Sequence, residues 1–331
     1  MYHNRRVLVA GGTGLIGRPL VARLIEQGAC VRVVSMDDPG RAHPRAEFLR
    51  LNLLSFENCL RACDGIDFVF NLLGVKGSPA VTRTRPASFF VPTLTLDTNL
   101  MEAARQCRVE RFLFTSSVGV YGPAEVFRED DVWRTFPSEN DRFAGWAKRM
   151  GELQAEAYRI EFGWKEIAIV RPANVYGPYD NFDLDNAMVV PSLIRRVLSG
   201  ENPLRVWGDG SAIRDIIHAD DVARGMLLAL GHADGQPINL GSGSGVSIRK
   251  LVEMICEHAD EKPEIIWDTS QPAGDRRRVM DITRARAIGF EPRITLSDGI
   301  AEVIDWYRAN ACHASTRYDV FQQAQSQCLL V

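Results

Sequence analysis

Arg6 to Gly17 reads RVLVAGGTGLIG, and the order of residue types along this stretch decides the fold. The apolar run Val7 to Ala10 suits a strand buried on both faces. Glycines at 11, 12, 14 and 17 break it, and Leu15, Ile16, Leu20, Val21, Leu24 and Ile25 then recur at helical spacing. A buried strand, a glycine turn and a helix amino end make an anion site, because backbone N–H groups and the positive end of the helix dipole face one point. Gly11 turns the chain, Gly14 lets backbone approach a pyrophosphate, and Gly17 lets helix pack closely on strand. An ordinary strand-to-helix turn is the bland alternative.

The alternation continues outward. Residues 30–34 read as a second strand, ending in Ser35-Met36-Asp37-Asp38, and residues 47–52 as a third. A helix over 55–63 and a strand over 67–73 follow. The spacing predicts a loop over 74–92, a helix over 94–107, a strand over 111–115, a helix over 145–162 and a strand over 166–170. Repeated strand–helix units imply an α/β fold, a doubly wound parallel sheet of Rossmann type with helices on both faces. Ligands in such sheets lie at the carboxyl ends of the strands. Beyond Arg171-Pro172 the pattern loosens into helices over 191–199, 219–231, 247–258 and 297–309, with strands over 204–207, 237–240 and 264–267. Residues 311–331 show no periodicity and are expected to form a poorly ordered tail.

The chain of 331 residues is 46% hydrophobic and 24% charged, with a net charge of −3. It is long enough for a large core, or for one domain with a smaller companion. Near-neutral charge without a basic stripe argues against nucleic acid as the main partner. No apolar run approaches the ~18 residues a membrane helix needs. MYHNRR leads straight into the first strand and leaves no room for a signal peptide. The seven cysteines lack metal-ligand spacing. Cys59 and Cys63, one helical turn apart, read as helix packing, and no metal is expected. A reduced, cytoplasmic protein is the expectation.

Several motifs in fixed order carry a family resemblance: GGTGLIG at 11–17, FLFTSSVGVYG at 112–122, AKRMGE at 147–152, RPANVYGP at 171–178, WGDGSAIRDIIHADDVA at 207–223 and INLGSGSGVSI at 238–248. Over roughly residues 5–309 the sequence resembles the extended short-chain dehydrogenase/reductases, the NAD-dependent epimerase/dehydratase family of nucleotide-sugar enzymes. Residues 174–196 and 267–290 resemble its GDP-L-fucose synthase branch. The resemblance implies a dinucleotide-binding domain over 1–173, to which 212–240 return. It implies a substrate domain over 174–211 and 241–310, followed by the 311–331 tail. It also implies a homodimer through the helices near 94–107 and 145–162.

In such enzymes hydride moves between nicotinamide and a sugar carbon while a proton moves at the sugar oxygen. A Ser or Thr hydroxyl bonds that oxygen, a Tyr hydroxyl exchanges the proton, and a Lys four residues later lowers the Tyr pKa. A phenol with a pKa near ~10 is a poor base at neutral pH without that ammonium. Ser117 and Lys148 match the catalytic Ser and Lys. The implied cofactor contacts are Gly11, Thr13, Gly14, Leu15, Ile16 and Gly17, then Ser35, Asp37, Asn52 and Leu53. They continue past Leu72, Leu73 and Gly74 to Lys148 and Arg171. Ser35 with Arg41 or Arg45 suits a 2′-phosphate, whereas Asp37 suits a free ribose. The balance tips slightly toward NADP, with NAD open. Asn52 reads equally as an adenine contact or a turn cap. Implied substrate contacts are Ser117, Asn174, Arg196, Trp207, Arg214 and Arg278, with Arg276 and Arg277 competing for the role of Arg278. Guanidinium forks suit a diphosphate. His218 reads as structural.

The sequence departs from the family in three respects. Four residues before Lys148 stands Ala144, not Tyr, and Phe143 beside it has no hydroxyl. One residue of helix shift is about 100°, so Phe143 is no substitute. Tyr121, Tyr176 and Tyr179 are the phenols in neighbouring motifs. The acid and base of fucose-synthase epimerisation fall at Gly119 and Met188, neither of which moves a proton. Val118-Gly119 also lack the Asp-Glu pair of the dehydratases. What remains is chemistry at one carbon: an epimerase or reductase transferring hydride at sugar carbon 4, on a GDP-hexose. The alternative is a catalytically altered or impaired nucleotide-sugar-binding member of the family.

Overall fold

The computed structural model describes residues 1–75, 79–271, 274–314 and Tyr318. Its first half alternates as the sequence predicts: β1 (Arg6–Ala10), α1 (Gly17–Glu26), β2 (Cys30–Ser35), β3 (Glu47–Arg50), α2 (Phe56–Cys63) and β4 (Phe68–Asn71). Next come α3 (Pro79–Thr84), α4 (Pro86–Gln106), β5 (Arg111–Thr115), α5 (Arg142–Phe162) and β6 (Ile167–Pro172). The rest comprises β7 (Asn174–Tyr176), α6 (Val189–Leu198), β8 (Leu204–Trp207), β9 (Ile213–Arg214), β10 (Ile216–His218), α7 (Ala219–Gly231) and β11 (Pro237–Leu240). Then follow β12 (Val246–Ser247), α8 (Ile248–Cys256), β13 (Ile265–Asp268), β14 (Arg277–Arg278), α9 (Thr283–Ala287) and α10 (Leu296–Asn310).

Seven strands form one parallel sheet in the order β11-β6-β5-β4-β1-β2-β3. The chain runs outward from β1 to β3, then returns to lay β4 on the other side of β1. That reversal opens a crevice beyond the carboxyl ends of β1 and β4, the place where doubly wound sheets hold ligands. Register sets the rim: Ala10 lies opposite Val34 on one side and Asn71 on the other.

Alternation along each strand divides the apolar residues between two layers. Val7, Val9, Val33, Phe68, Phe70 and Leu113 pack with Leu20, Val21 and Leu24 of α1 and Val222 and Met226 of α7. Leu8, Ala10, Val34, Val69, Phe112 and Phe114 pack on the other face with Cys59 and Cys63 of α2, Leu100 and Met101 of α4 and Ala155 of α5. Each fully buried Leu, Val or Phe contributes about 1.5–3 kcal/mol against exposure. A third core joins α6, β8, α8 and α10 through Leu193, Ile194, Leu204, Leu251, Ile255 and Ile304.

The main departure from the sequence reading is the stretch 74–92. Residues 79–84 are helical, and α4 begins at Pro86, eight residues before the expected start. Pro86 sits in the first turn, where a missing N–H costs nothing. Pro92 removes one internal bond, and Thr93 Oγ1 donates to the Phe89 carbonyl at 2.8 Å beside it. Residues 76–78 of the expected loop lie outside the described residues. Helix α5 likewise starts three residues early, at Arg142. Of the expected tail, residues 311–314 form a turn with Ala314 buried, Tyr318 is described, and 315–317 and 319–331 lie outside the described residues. Among the described residues no helix is long and apolar enough to cross a membrane, and no group of His, Cys, Asp and Glu could hold a metal.

Candidate active site

The cleft at the strand reversal has a volume of about 300 Å³. One wall is the glycine turn. Gly11 holds φ +83°, which only glycine adopts without strain, and its N–H donates to the Val34 carbonyl at 2.8 Å. A Cβ on Gly17 would fall 2.3 Å from the Gly11 carbonyl oxygen, so α1 comes this close to the turn only with glycine there. No side chain caps the amino end of α1, whose Arg18 N–H turns back on the Gly14 carbonyl at 3.0 Å, so its positive end faces the glycine turn without a capping side chain.

Thr13, Leu15, Ile16, Ser35, Asp37, Asn52 and Leu53 line the same cleft, and Leu72, Leu73 and Gly74 close its inner end. At the end of β2, Thr13 Oγ1 donates to Asp37 Oδ2 at 2.7 Å and lies 2.8 Å from Ser35 Oγ. The backbone N–H of Tyr318 donates to Asp37 Oδ1 at 2.9 Å. Asn52 Oδ1 accepts from Leu54 N–H at 3.0 Å, so its carbonyl works as a turn cap.

Lys148 stands at the inner end of the cleft. Its Nζ donates to the Leu73 carbonyl at 2.9 Å and to Asp97 Oδ2 at 2.9 Å. Asp97, on α4, is fully buried and accepts from Asn71 Nδ2 at 3.0 Å. Burial pushes the Asp97 carboxyl above the usual carboxylate range, opposed by the Lys148 ammonium and the Asn71 amide. Sequence reasoning missed Asp97 and Asn71. The signal was present: an acid on the apolar face of TLTLDTNLM and an amide ending the apolar strand DFVFN. Ser117 stands just beyond β5, its Oγ accepting from Gly119 N–H at 3.1 Å.

None of the neighbouring phenols takes the place of the missing Tyr. Tyr121 is buried, stacks on Phe127 at 4.7 Å and donates to Asn239 Oδ1 at 2.6 Å. Burial pushes its hydroxyl far above the usual phenol range. Tyr176 is buried against His218, and Tyr179 packs between Arg18 and Trp306. Phe143 is exposed, 6.2 Å from Phe90. His218 caps α7, accepting from Asp220 N–H, in keeping with a structural role.

Arg171, expected to touch the cofactor, is a correction. It is wholly buried and gives Nε and Nη2 to Glu152 and Nη1 to Tyr121 Oη and the Glu129 carbonyl. Ser116 donates to the same Glu152 at 2.5 Å, so this chain of polar groups is the floor beneath Ser117. An isolated buried guanidinium is too costly to persist, and the sequence offered no means of placing Glu152 against it.

The substrate-side residues divide. Asn174 Nδ2 donates to the Asp215 carbonyl at 2.9 Å, beside Arg214. Arg214 reaches the Asp275 carbonyl at 2.7 Å; burial, with Arg278 nearby, lowers its pKa to about 10. Arg278 pairs with Asp275 at 2.6 Å and with Asp141 at 2.5 Å, which ties it to the start of α5. Arg277 instead turns away to the Glu125 carbonyl at 2.8 Å. Arg196 is bound to Glu201 and the Arg205 carbonyl, and Trp207 is half exposed at the end of β8. No bond ties either of them to the Arg214–Arg278 group.

The family model for the NAD dependent epimerase/dehydratase family matches residues 7–241. GDP-L-fucose synthase 1 of Arabidopsis thaliana is 31% identical over 319 residues, covering 94% of this chain and 95% of that protein. The UDP-glucose 4-epimerase of Thermotoga maritima, solved with UDP-glucose, superposes with a TM-score of 0.79 at 29% identity, covering 92% of this chain and 99% of that one. The UDP-glucose 4-epimerase of Thermus thermophilus, solved with NAD, gives 0.80 at 28% identity over 92% and 99%. With a glycine cleft at the strand reversal, Lys148 at its inner end and Ser117 just past the neighbouring strand β5, the chain belongs to the NAD-dependent epimerase/dehydratase family of nucleotide-sugar enzymes.

Proposed function

We propose that the protein transfers hydride at carbon 4 of a nucleotide-linked hexose, as an epimerase or ketone reductase, with a GDP-hexose as substrate. The observation that carries this reading is one continuous path of groups. The cleft runs from the Gly11 turn to the Leu73 carbonyl that Lys148 holds, and Arg278, opposite Arg214 in the strand register, connects through Asp141 to Gly119 in the turn after Ser117. The GDP-linked choice draws on the likeness to GDP-L-fucose synthase. Gly119 and the exposed thioether of Met188 leave no proton-moving group at the two positions that would epimerise neighbouring carbons.

Bound nicotinamide supplies or accepts the hydride. Gly11, Gly14 and the amino end of α1 would hold the dinucleotide phosphates, and Asp37 the adenosine ribose. A carboxylate at the end of β2, Asp37, would repel a 2′-phosphate on the adenosine ribose, which supports NAD against the slight sequence preference for NADP. Ser117 bonds the sugar oxygen. Lys148, held by Asp97 and the Leu73 carbonyl, keeps a positive charge at the inner end of the cleft. Arg214 and Arg278 meet the diphosphate. The sugar sits between a dinucleotide domain (1–173 with 212–240) and a substrate domain (174–211 with 241–310). Exposed Val91 of α4 and Leu153, Ile160 and Phe162 of α5 suit a homodimer contact, and the six described cysteines, all free, suit a reducing cytoplasm.

The test is turnover. Purified protein is given GDP-4-keto-6-deoxy-mannose with NADH or NADPH, and separately common sugar nucleotides with NAD. Oxidation of the reduced cofactor, or a change of sugar configuration seen by NMR, is expected. Failure with every substrate refutes the reading.

A further inference from the structure

A helix face and a glycine together point to the group that replaces the absent phenol. Asp141 immediately precedes α5, and Asp141, Ala144 and Lys148 follow one another at i, i+3 and i+7, along one face. That face lies tight on the Ser117 turn: a Cβ on Gly145 would fall 2.3 Å from the Gly119 carbonyl oxygen. A Cβ on Gly119 would fall 3.5 Å from Ser117 Oγ, 3.2 Å from Asp141 Cβ and 3.4 Å from Asp141 Cγ. Gly119 is itself buried, so Ser117 Oγ and the Asp141 side chain both pack against this one small residue, which brings a hydroxyl and a carboxyl group into the same neighbourhood. A reacting oxygen needs such a pair, one group to bond it and one to exchange its proton.

We propose that Asp141 is the catalytic residue that exchanges the proton of the reacting sugar oxygen, with Ser117 bonding that oxygen and Ala144 giving the sugar room. The proposal rests on the function proposed above. The carboxylate is held in place for the task. Arg278 grips Oδ2 at 2.5 Å, Asp275 holds Arg278 at 2.6 Å, and Ser138 Oγ and Asn140 Nδ2 fix Asp275 at 2.6 and 2.8 Å. The charged groups around Asp141 are thus Arg278 and Asp275, with Arg214 behind them. In oxidation the sugar hydroxyl gives its proton to Asp141, and the carbon–hydrogen pair leaves as hydride to the oxidised nicotinamide. The products are a ketone, a carboxylic acid and reduced nicotinamide. In reduction hydride returns to the carbonyl carbon, and the Asp141 carboxylic acid protonates the oxygen.

The test compares wild type with Asp141→Asn, Ala144→Tyr and the double variant, using GDP-4-keto-6-deoxy-mannose and NADH. Asp141→Asn is expected to lower kcat by at least about 100-fold while KM stays within about threefold. The calorimetric Kd for GDP-mannose weakens far less than kcat falls, because Asp275 still holds Arg278 when Asp141 becomes an amide. Adding Ala144→Tyr to Asp141→Asn recovers about tenfold or more of kcat, because a phenol then stands four residues before Lys148 to exchange the proton. Wild-type turnover that Asp141→Asn leaves within threefold overturns the proposal alone. Loss of GDP-mannose binding parallel to the loss of kcat also overturns it, assigning Asp141 a structural role. No wild-type turnover on any sugar nucleotide overturns the functional reading, and this proposal with it.

Discussion

Asp97→Asn removes one charge from the buried pair that holds Lys148, and the structure gives the size of the effect. The Asp97 side chain is fully buried and that of Lys148 nearly so, at 10% exposure. Removing one partner of such a pair costs about 3–5 kcal/mol, because the other charge stays buried without compensation. Lys148 keeps the Leu73 carbonyl, and the carbonyl oxygen of the substituted amide still accepts from Asn71, so the lower end, about 3 kcal/mol, applies here. With an unfolding entropy of roughly 2 cal/mol/K per residue, a chain of this length loses about 4 °C in Tm. Activity should fall by about tenfold or more, since Nζ no longer has a fixed position at the inner end of the cleft. The assay is differential scanning calorimetry with steady-state kinetics on one preparation. Replacing both partners, Asp97→Leu with Lys148→Met, should recover most of the lost Tm while activity stays absent. Asp97→Asn with unchanged Tm and unchanged kcat would refute the idea that the pair is a strained necessity of the site.

Gly17→Ala places a methyl group 2.3 Å from the Gly11 carbonyl oxygen. It should cost about 1–3 kcal/mol and weaken NAD binding by tenfold or more, read by thermal shift with and without NAD. Asp37 predicts a preference for NAD over NADP of about tenfold or more, from repulsion of a 2′-phosphate. Asp37→Ser should erase it in paired Kd measurements. Glu102 joins α4 to α5 by accepting from Arg105 and from the Tyr158 hydroxyl, and these bonds hold its carboxyl down at about 2 against an ordinary 4.5. A depressed acid contributes stability above its unfolded pKa and loses it as pH falls through the folded one. Wild type should therefore lose more stability than Glu102→Gln between pH 4.5 and 2 in urea titrations.

The large sheet was legible because its central strands β1, β4 and β5 are short apolar runs recurring between helical stretches, a pattern that buried parallel strands satisfy. The start of α4 was not, since Pro86 and Pro92 signal a loop to any local reading, and only packing of the Phe89 and Leu100 face on the sheet makes helix the better solution. Ser117, Lys148 and the glycines could be found from spacing along the chain. Asp97 and Glu152 could not be paired with Lys148 and Arg171 that way, because those pairs join helices and strands far apart in sequence. Asp141 escaped notice for a related reason. It matters through its nearness to Gly119, and a glycine's missing side chain can be weighed only once its neighbours are known.

The path of the polypeptide between its hydrophobic cores has a mechanical consequence. After β6 the chain enters the third core through Tyr176 and α6, then returns to the large sheet with α7 and β11. It leaves again for α8, comes back with Met280, Ile282 and Phe290, and ends in α10. Such lacing ties the two halves with several straps, where a bilobed protein with one hinge has a single one. No proteolytic cut near residue 173 should release a self-sufficient fragment, because the first half alone lacks the edge strand β11 and the covering helix α7. Opening and closing around a ligand must then come from side chains and surface loops, with the backbone frame of the cleft staying rigid.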